Sequence, residues 1–238
     1  MQGCTSIDGV FLRSVRFLIV RPGALTLAYL QGQRKPYTLP LQLFLLANVL
    51  FFAMQSLTNT KIFSTPLEQH LQNDIWGGVA QQMVAHRVAA RHATIAAYAP
   101  VFNNAVATNA KTLVVVMVLP FALLASIVFL GSRRPFLVHV VFSFHFYAFL
   151  LLVLCMTLAV TGMNVLFGGR GLQSIEFDHA VSIVELLVCF VYLYIAAKVV
   201  YGASGFTRFL KVAALVIAIA GIFLSYRFLM LVVTLYTT

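Results

Sequence analysis

The run TLVVVMVLPFALLASIVFLG (residues 112–131), the turn Ser132-Arg133-Arg134-Pro135 and the run LVHVVFSFHFYAFLLLVLCMTLAVT (residues 137–161) decide the fold. Neither run holds a Lys, Arg, Asp or Glu. As a helix, each is long enough to cross the roughly 30 Å hydrocarbon core of a bilayer. The turn between them allows a helical hairpin, and its two arginines mark the cytoplasmic side. Pro120, inside the first run, predicts a kink that neighbours or water satisfy.

Outward from the hairpin the pattern repeats. Leu39–Leu57 reads as an earlier span, with Pro40 tolerated in its first turn. Ile183–Tyr201, ending at Gly202, and Phe209–Tyr236 read as later spans. The expected fold is all-α: an integral membrane helical bundle with about five transmembrane helices. They fall at 39–57, 112–131, 137–161, 183–201 and 209–236 of a single membrane domain over 1–238.

Composition points the same way. Of 238 residues, 61% are hydrophobic and 9% charged, and the mean hydropathy is +0.96. A soluble domain is about 25% charged, so this chain lacks the polar surface to clothe a water-soluble globule. The net charge of +10 does not point to nucleic acid. The cations lie in short segments between apolar runs, which is how membrane proteins fix orientation.

Residues 1–38 read as a cytoplasmic amphipathic segment. Ser6–Arg21 is expected to be an interfacial helix capped by Ser6 or Asp8, with Val10, Phe11, Val15, Leu18 and Ile19 at helical spacing. Its apolar face lies either in the headgroup plane or against the bundle. No cleavable signal peptide is expected, because the apolar stretch 17–20 is short and flanked by arginines. A second short helix is expected from Pro22 to Gln31 with Gly32 as its cap, followed by the basic, aromatic edge Gln33-Arg34-Lys35-Pro36-Tyr37. After the first span, 58–111 reads as an extramembrane helical segment. Its stripe of Leu67, Leu71, Ile75, Val79, Met83 and Val88 is interrupted at Gly77-Gly78 and ended by Pro100. Residues 66–98 are the expected surface for a homo-oligomer.

Ionisable and polar groups inside apolar spans are functional candidates. Arg227 lies past the middle of span five, and Glu185 is the carboxylate of similar depth. They are expected to pair or to share a polar cavity, unless Arg227 snorkels outward and Glu185 merely closes a capping box with Ser182. His139 stands at the cytoplasmic start of span three, where an interfacial position suffices. His145 lies deeper, as a hydrogen-bonded core residue, a proton relay or a ligand contact. Six residues on a helix turn about 600°, so the two rings point about 120° apart and are poor partners for one metal ion. Asn48, in span one, either bonds helices together or lines a polar path. The cavity candidates are thus Asn48, His145, Glu185 and Arg227.

Other motifs carry little. Cys155 and Cys189 read as small buried hydrophobes, and with Cys4 they form no C-x-x-C. Gly168-Gly169-Arg170-Gly171 is a flexible turn with no following Lys-Ser/Thr. His70, His86, His92 and His179 form no metal-binding pattern. No metal and no cofactor is assigned.

Charge sets orientation. With the N-terminus in the cytoplasm, Arg13, Arg16, Arg21, Arg34, Lys35, Arg133, Arg134, Arg208 and Lys211 all fall inside, and Lys198 can reach the same side. Lys61, Arg87, Arg91, Lys111 and Arg170 fall outside, as do Glu68, Asp74, Glu176 and Asp178. The C-terminus is then expected on the far, periplasmic side of an inner membrane.

Phe17-Leu18-Ile19-Val20-Arg21-Pro22-Gly23, the step Tyr29-x-x-Gly32-x-Arg34, Pro36-Tyr37 and Pro40 resemble a bacterial family of membrane proteins catalogued as a domain of unknown function, number thirty-six sixty-seven in words. His139–Phe149, Val191–Tyr194 and Val200–Gly202 resemble later parts of those proteins. The resemblance implies a shared topology and cytoplasmic motif, and no reaction. Many members carry a Cys-x-x-Cys zinc ribbon before the first helix. This chain has Cys4 alone there, and no zinc is assigned. Arg21, Tyr29, Arg34, Lys35 and Tyr37 form a basic, aromatic rim that suits lipid headgroup phosphates or plain anchoring.

The expected partner is the lipid bilayer. The leading reading is a non-enzymatic inner-membrane protein handling a solute, ion or lipid through a polar cavity in the bundle. A membrane-embedded enzyme or redox-linked protein, using His145 with Glu185 or the loop acids Glu176 and Asp178 with His179 near the interface, and a structural assembly factor are the alternatives.

Overall fold

The computed structural model describes residues 3–33, 35–58, 60, 62–169, 171 and 175–238, with side chains for all of these except 3–8, 175 and 176. Among them the regular elements are helices: α1 (Gly3–Val20), α2 (Ala24–Leu30), α3 (Pro40–Thr58), α4 (Leu67–Leu71), α5 (Gly77–Ala90), α6 (Ile95–Leu113), α7 (Val118–Val128), α8 (Phe136–Leu166), α9 (Ile175–Tyr201) and α10 (Gly205–Thr237). Short 3-10 turns lie at Val114–Met117 and Leu130–Ser132.

Five stretches are long and apolar enough to cross a membrane: Pro40–Thr58, Ile95–Val128, Phe136–Leu166, Phe177–Tyr201 and Gly205–Thr237. Only 28–33% of each apolar window is buried inside the protein. Much of the remainder, including Leu45, Leu46, Val49, Ile127, Ile183, Leu187 and Ile217, is exposed. Apolar rows of this extent have no solvent but lipid. The chain is a helical membrane protein, as its composition requires.

The second span differs from expectation. Pro100 does not end a helix but sits inside α6, which starts at the Thr94 cap and runs on toward the apolar stretch. The side chain of Thr94 accepts the Ala97 N–H, and that cap starts the helix well before Pro100. Proline is tolerated near the start because its missing N–H and its ring burden only the preceding turn. Pro120 acts as expected. Its ring crowds the carbonyl four residues earlier, and there, over Val114–Met117, the helix tightens into 3-10 geometry. The helices α8 and α10, at 31 and 33 residues, exceed the roughly 20 needed for a bilayer core, so they tilt or extend beyond it.

The chain divides into two compact units, Met1–Asn59 with Val118–Ile219, and Thr60–Met117 with Ala220–Thr238. In the first, α8 packs along α3 and α7 and also touches α1, α2 and α9. Its core is aromatic: Phe121 stacks on Phe146, and Phe149 stacks on Tyr192 at 3.9 Å. The inner face of α1 is Ser14 and Leu18, both buried, whereas Ile19 is exposed. Ser14 Oγ accepts the Thr38 N–H at 2.8 Å, tying the helix to the segment before α3. The helix after Pro22 begins at Ala24, two residues later than expected, because Gly23 takes φ +84. Gly32 closes it as expected, at φ +78. The Gly32 and Gln33 N–H groups bond back to the Tyr29 and Ala28 carbonyls, the hydrogen-bond pattern of a Schellman cap.

In the second unit, α4, α5 and α6 pack on one another. Asn103 Oδ1 accepts the Leu67 N–H at the start of α4. Trp76 is buried against Phe228, and Phe63 against Phe223 and Tyr226. This unit, completed by the C-terminal part of α10, therefore has a core of its own.

Candidate functional site

The densest meeting of sequence-derived candidates lies in the first unit, between α2, the chain 31–39 and α8. A shallow cleft enclosing about 10 Å³, room for about one water, is lined by Leu25, Tyr29, Gln33, Tyr37, Thr38, Leu39 and His145. His145 is 2% exposed, and its Nδ1 lies 2.8 Å from Thr26 Oγ1. Local structure explains the arrangement. Gly23 turns the chain sharply, α2 runs only to its Gly32 cap, and the chain then folds back over α8. Phe17 stacks on Tyr37 at 5.1 Å, and the Arg21 guanidinium lies 5.5 Å above the Phe17 ring. Lys35 is exposed beside the rim. Arg34 lies outside the described residues.

Thus Tyr29 and Tyr37, read as rim residues, and His145, read as a cavity residue, share one cleft. Arg21 reaches it through Phe17. Sequence reading missed Thr26, Gln33 and Thr38. The spacing of Thr26 and Tyr29, three apart on a short helix, was the available signal for one polar face.

The other cavity candidates sit elsewhere. Asn48 is buried on the face of α3 that carries Phe44 and Phe51. Glu185 is not at a helix start. Helix α9 runs from Ile175, so Ser182 lies inside it and the capping-box reading fails. Glu185 instead accepts a hydrogen bond from Thr157 Oγ1 of α8. Thr157 is twelve residues beyond His145, about 18 Å along the helix axis. His145 and Glu185 are therefore not one catalytic pair. Glu185 and Arg227 belong to different units, and each has a partner inside its own. Arg227 Nε donates to Thr65 Oγ1 at 3.1 Å.

His139 is buried, its Nδ1 lies 3.0 Å from Tyr201 Oη, and its ring stacks on Tyr201. Phe129 also stacks on Tyr201, at 4.0 Å. Cys155 and Cys189 are free and buried, as expected. Among the described residues no group of three or more His, Cys, Asp and Glu is placed to share a metal ion.

His70, outside the spans, is wholly buried. Burial, then the nearby Arg227 charge, lower its pKa from 6.5 to about 4. The folded state thus prefers the neutral ring. Its contribution to stability is fully present above pH 6.5 and is lost as pH falls toward 4. At about 1.4 kcal/mol per unit, that loss is on the order of 2–3 kcal/mol. A thermal unfolding series from pH 7 to pH 4 is expected to show this fall, and His70→Phe to flatten it. An equal fall in both proteins would assign it to other groups.

The comparisons with known proteins bear on the roof of the cleft. No curated protein and no solved structure matches the chain. The stretches 139–149 and 191–202, which resemble later parts of the family, lie outside the one matched segment. That segment, residues 8–52, supplies every lining residue of the cleft except His145, and it matches the family model described as protein of unknown function (DUF3667).

Proposed function

We propose that this is a non-enzymatic inner-membrane protein that handles a phosphate-bearing lipid or small solute by holding its polar group in the cleft over His145. The observation that carries the reading is the cleft itself. Tyr29, Gln33, Tyr37 and Thr38 line it, and the buried Thr26–His145 bond supports its inner wall. The Arg21 guanidinium lies over Phe17, which stacks on Tyr37 of the lining, Lys35 is exposed in the chain between Gln33 and Tyr37, and Arg34 adds a third cation to the same stretch of sequence. Basic, aromatic edges of this kind attract headgroup phosphates at about 1 kcal/mol per cation. The orientation that goes with it places the N-terminus in the cytoplasm and the C-terminus in the periplasm, because the cations of the short inner segments outnumber those outside.

The test is native mass spectrometry of the full chain in mild detergent, with phosphatidylglycerol or inorganic phosphate added separately. Wild type is expected to retain one of the two, and Lys35→Gln with Tyr37→Phe to retain clearly less. Equal retention by wild type and the double variant would remove the cleft from the account.

A second reading rests on Glu185. A carboxyl in the interior of α9, bonded to one threonine, is expensive in lipid and is a candidate for proton or ion handling. Proteoliposomes loaded with a pH-sensitive dye are expected to show proton flux with wild type and none with Glu185→Gln. Equal flux, or no flux with wild type, would reject it.

A further inference from the structure

Among the described residues, the second unit brings together hydrogen-bond donors that outnumber the acceptors recorded for them. Arg227 has five N–H donors. Among the described residues it makes one hydrogen bond, from Nε to Thr65. That bond orients the guanidinium fork and leaves its outer nitrogens free. Thr65 is itself buried.

His70 adds a second donor. The Trp76 indole N–H donates to His70 Nδ1 at 3.4 Å. A neutral imidazole that accepts at Nδ1 carries its proton at Nε2. That Nε2 is buried and has no partner among the described residues. Trp76, which bonds His70, also packs on Phe228, the chain neighbour of Arg227, at 5.9 Å, and Thr65, which Arg227 bonds, lies five residues before His70. Phe102 meets the imidazole edge-on at 6.1 Å, and Trp76 covers it from another side. A buried N–H without an acceptor is destabilising, more so in an aromatic surround of low polarity.

No carboxylate of the unit answers these donors. Its acids, Glu68 and Asp74, are both exposed. Its cations include Arg87, Arg91 and Lys111 as well as Arg227. The corner is cationic, rich in donors and poor in acceptors.

We infer that the Arg227–His70 corner is a binding site for a small oxyanion, a carboxylate or a phosphate, which accepts from the Arg227 fork and from His70 Nε2. Arg227 supplies the charge and a planar pair of donors. His70 supplies a neutral directional donor, Thr65 holds the fork, and Trp76 holds the tautomer. This site is separate from the cleft over His145 and does not depend on it.

The chain has one tryptophan, and it touches this site. Its emission is therefore a direct reporter. The full-length protein in detergent at pH 7.5 is titrated with sodium acetate or, separately, inorganic phosphate, with chloride balancing the ionic strength. A saturable change in Trp76 emission is expected with at least one of them, and the responsive probe names carboxylate or phosphate as the ligand class. Arg227→Gln is expected to weaken the apparent affinity by roughly tenfold or more. Where Arg227→Gln does not fold, Arg227→Lys replaces it. Losing the fork but keeping the charge, it is expected to bind at least about threefold more weakly. No saturable change with either anion in wild type, or the same affinity in the folded variant, overturns the site.

Discussion

Replacing Gly23 with alanine is expected to lower the unfolding midpoint of the purified protein more than any other single methyl addition in the matched segment. Two effects add. Gly23 sits at φ +84, a conformation that costs an L-residue about 1–2 kcal/mol. A Cβ built there would also lie 3.0 Å from Ala196 Cα, 3.1 Å from the Ala196 carbonyl and 3.1 Å from Val199 Cβ on α9. Two of those contacts are backbone and cannot swing away. Overpacking of this kind costs about 1–3 kcal/mol, so with the conformational cost the sum is about 2–5 kcal/mol. Gly32 is the internal control. It too has positive φ, but nothing lies within 4 Å of a Cβ there. Gly32→Ala therefore carries the conformational cost alone, and thermal unfolding in detergent is expected to rank it clearly above Gly23→Ala. Equal midpoints would mean that α2 does not pack closely on α9.

Thr26 and His145 are expected to behave as a coupled pair. Thr26→Val strands His145 Nδ1, and His145→Leu strands the Thr26 hydroxyl, which is itself 1% exposed. Each loss leaves a buried polar atom unpaired, at about 1–3 kcal/mol. The double variant leaves neither, so it is expected to cost at least about 1 kcal/mol less than the sum of the two. Denaturant titration of all four proteins gives the coupling directly. Additive costs would mean that the bond contributes nothing and that His145 is held by packing alone.

How far the sequence alone reads this molecule differs from region to region. Long charge-free runs flanked by cations place the membrane helices, because the bilayer leaves a chain few alternatives. The hairpin at Ser132–Pro135 is legible for that reason, as are the Gly32 cap and the disturbance before Pro120. Helix starts are less legible. The Ser182–Glu185 spacing matches a capping box, but the apolar residues around it keep the helix going, and α9 begins earlier at Ile175. Pro100 looks like a stop, yet the Thr94 cap starts the helix six residues before it, and the helix carries the proline in its second turn.

The site is half legible. Charge and depth select His145, Glu185 and Arg227, but no spacing rule says which helices meet. That Tyr29 and Tyr37 join His145, and that Glu185 finds Thr157, depends on tertiary packing. Neutral partners such as Thr26, Thr65 and Thr157 carry no sequence signal of their own, because threonines are common in apolar helices. The buried His70–Trp76 pair lies in a polar segment where a histidine normally faces water.

The central claim is that the segment matching the family folds over α8 to make a cleft for a phosphate-bearing group. Photo-crosslinking tests it most directly. The full chain is reconstituted with a phospholipid carrying a photoactivatable diazirine beside its phosphate, irradiated, digested and mapped by mass spectrometry. The account predicts adducts concentrated on residues 25–39, Tyr29 and Tyr37 above all, and reduced by competing unlabelled lipid. Adducts spread along lipid-facing positions such as Leu45, Val49 and Leu187, with none on 25–39, would contradict it.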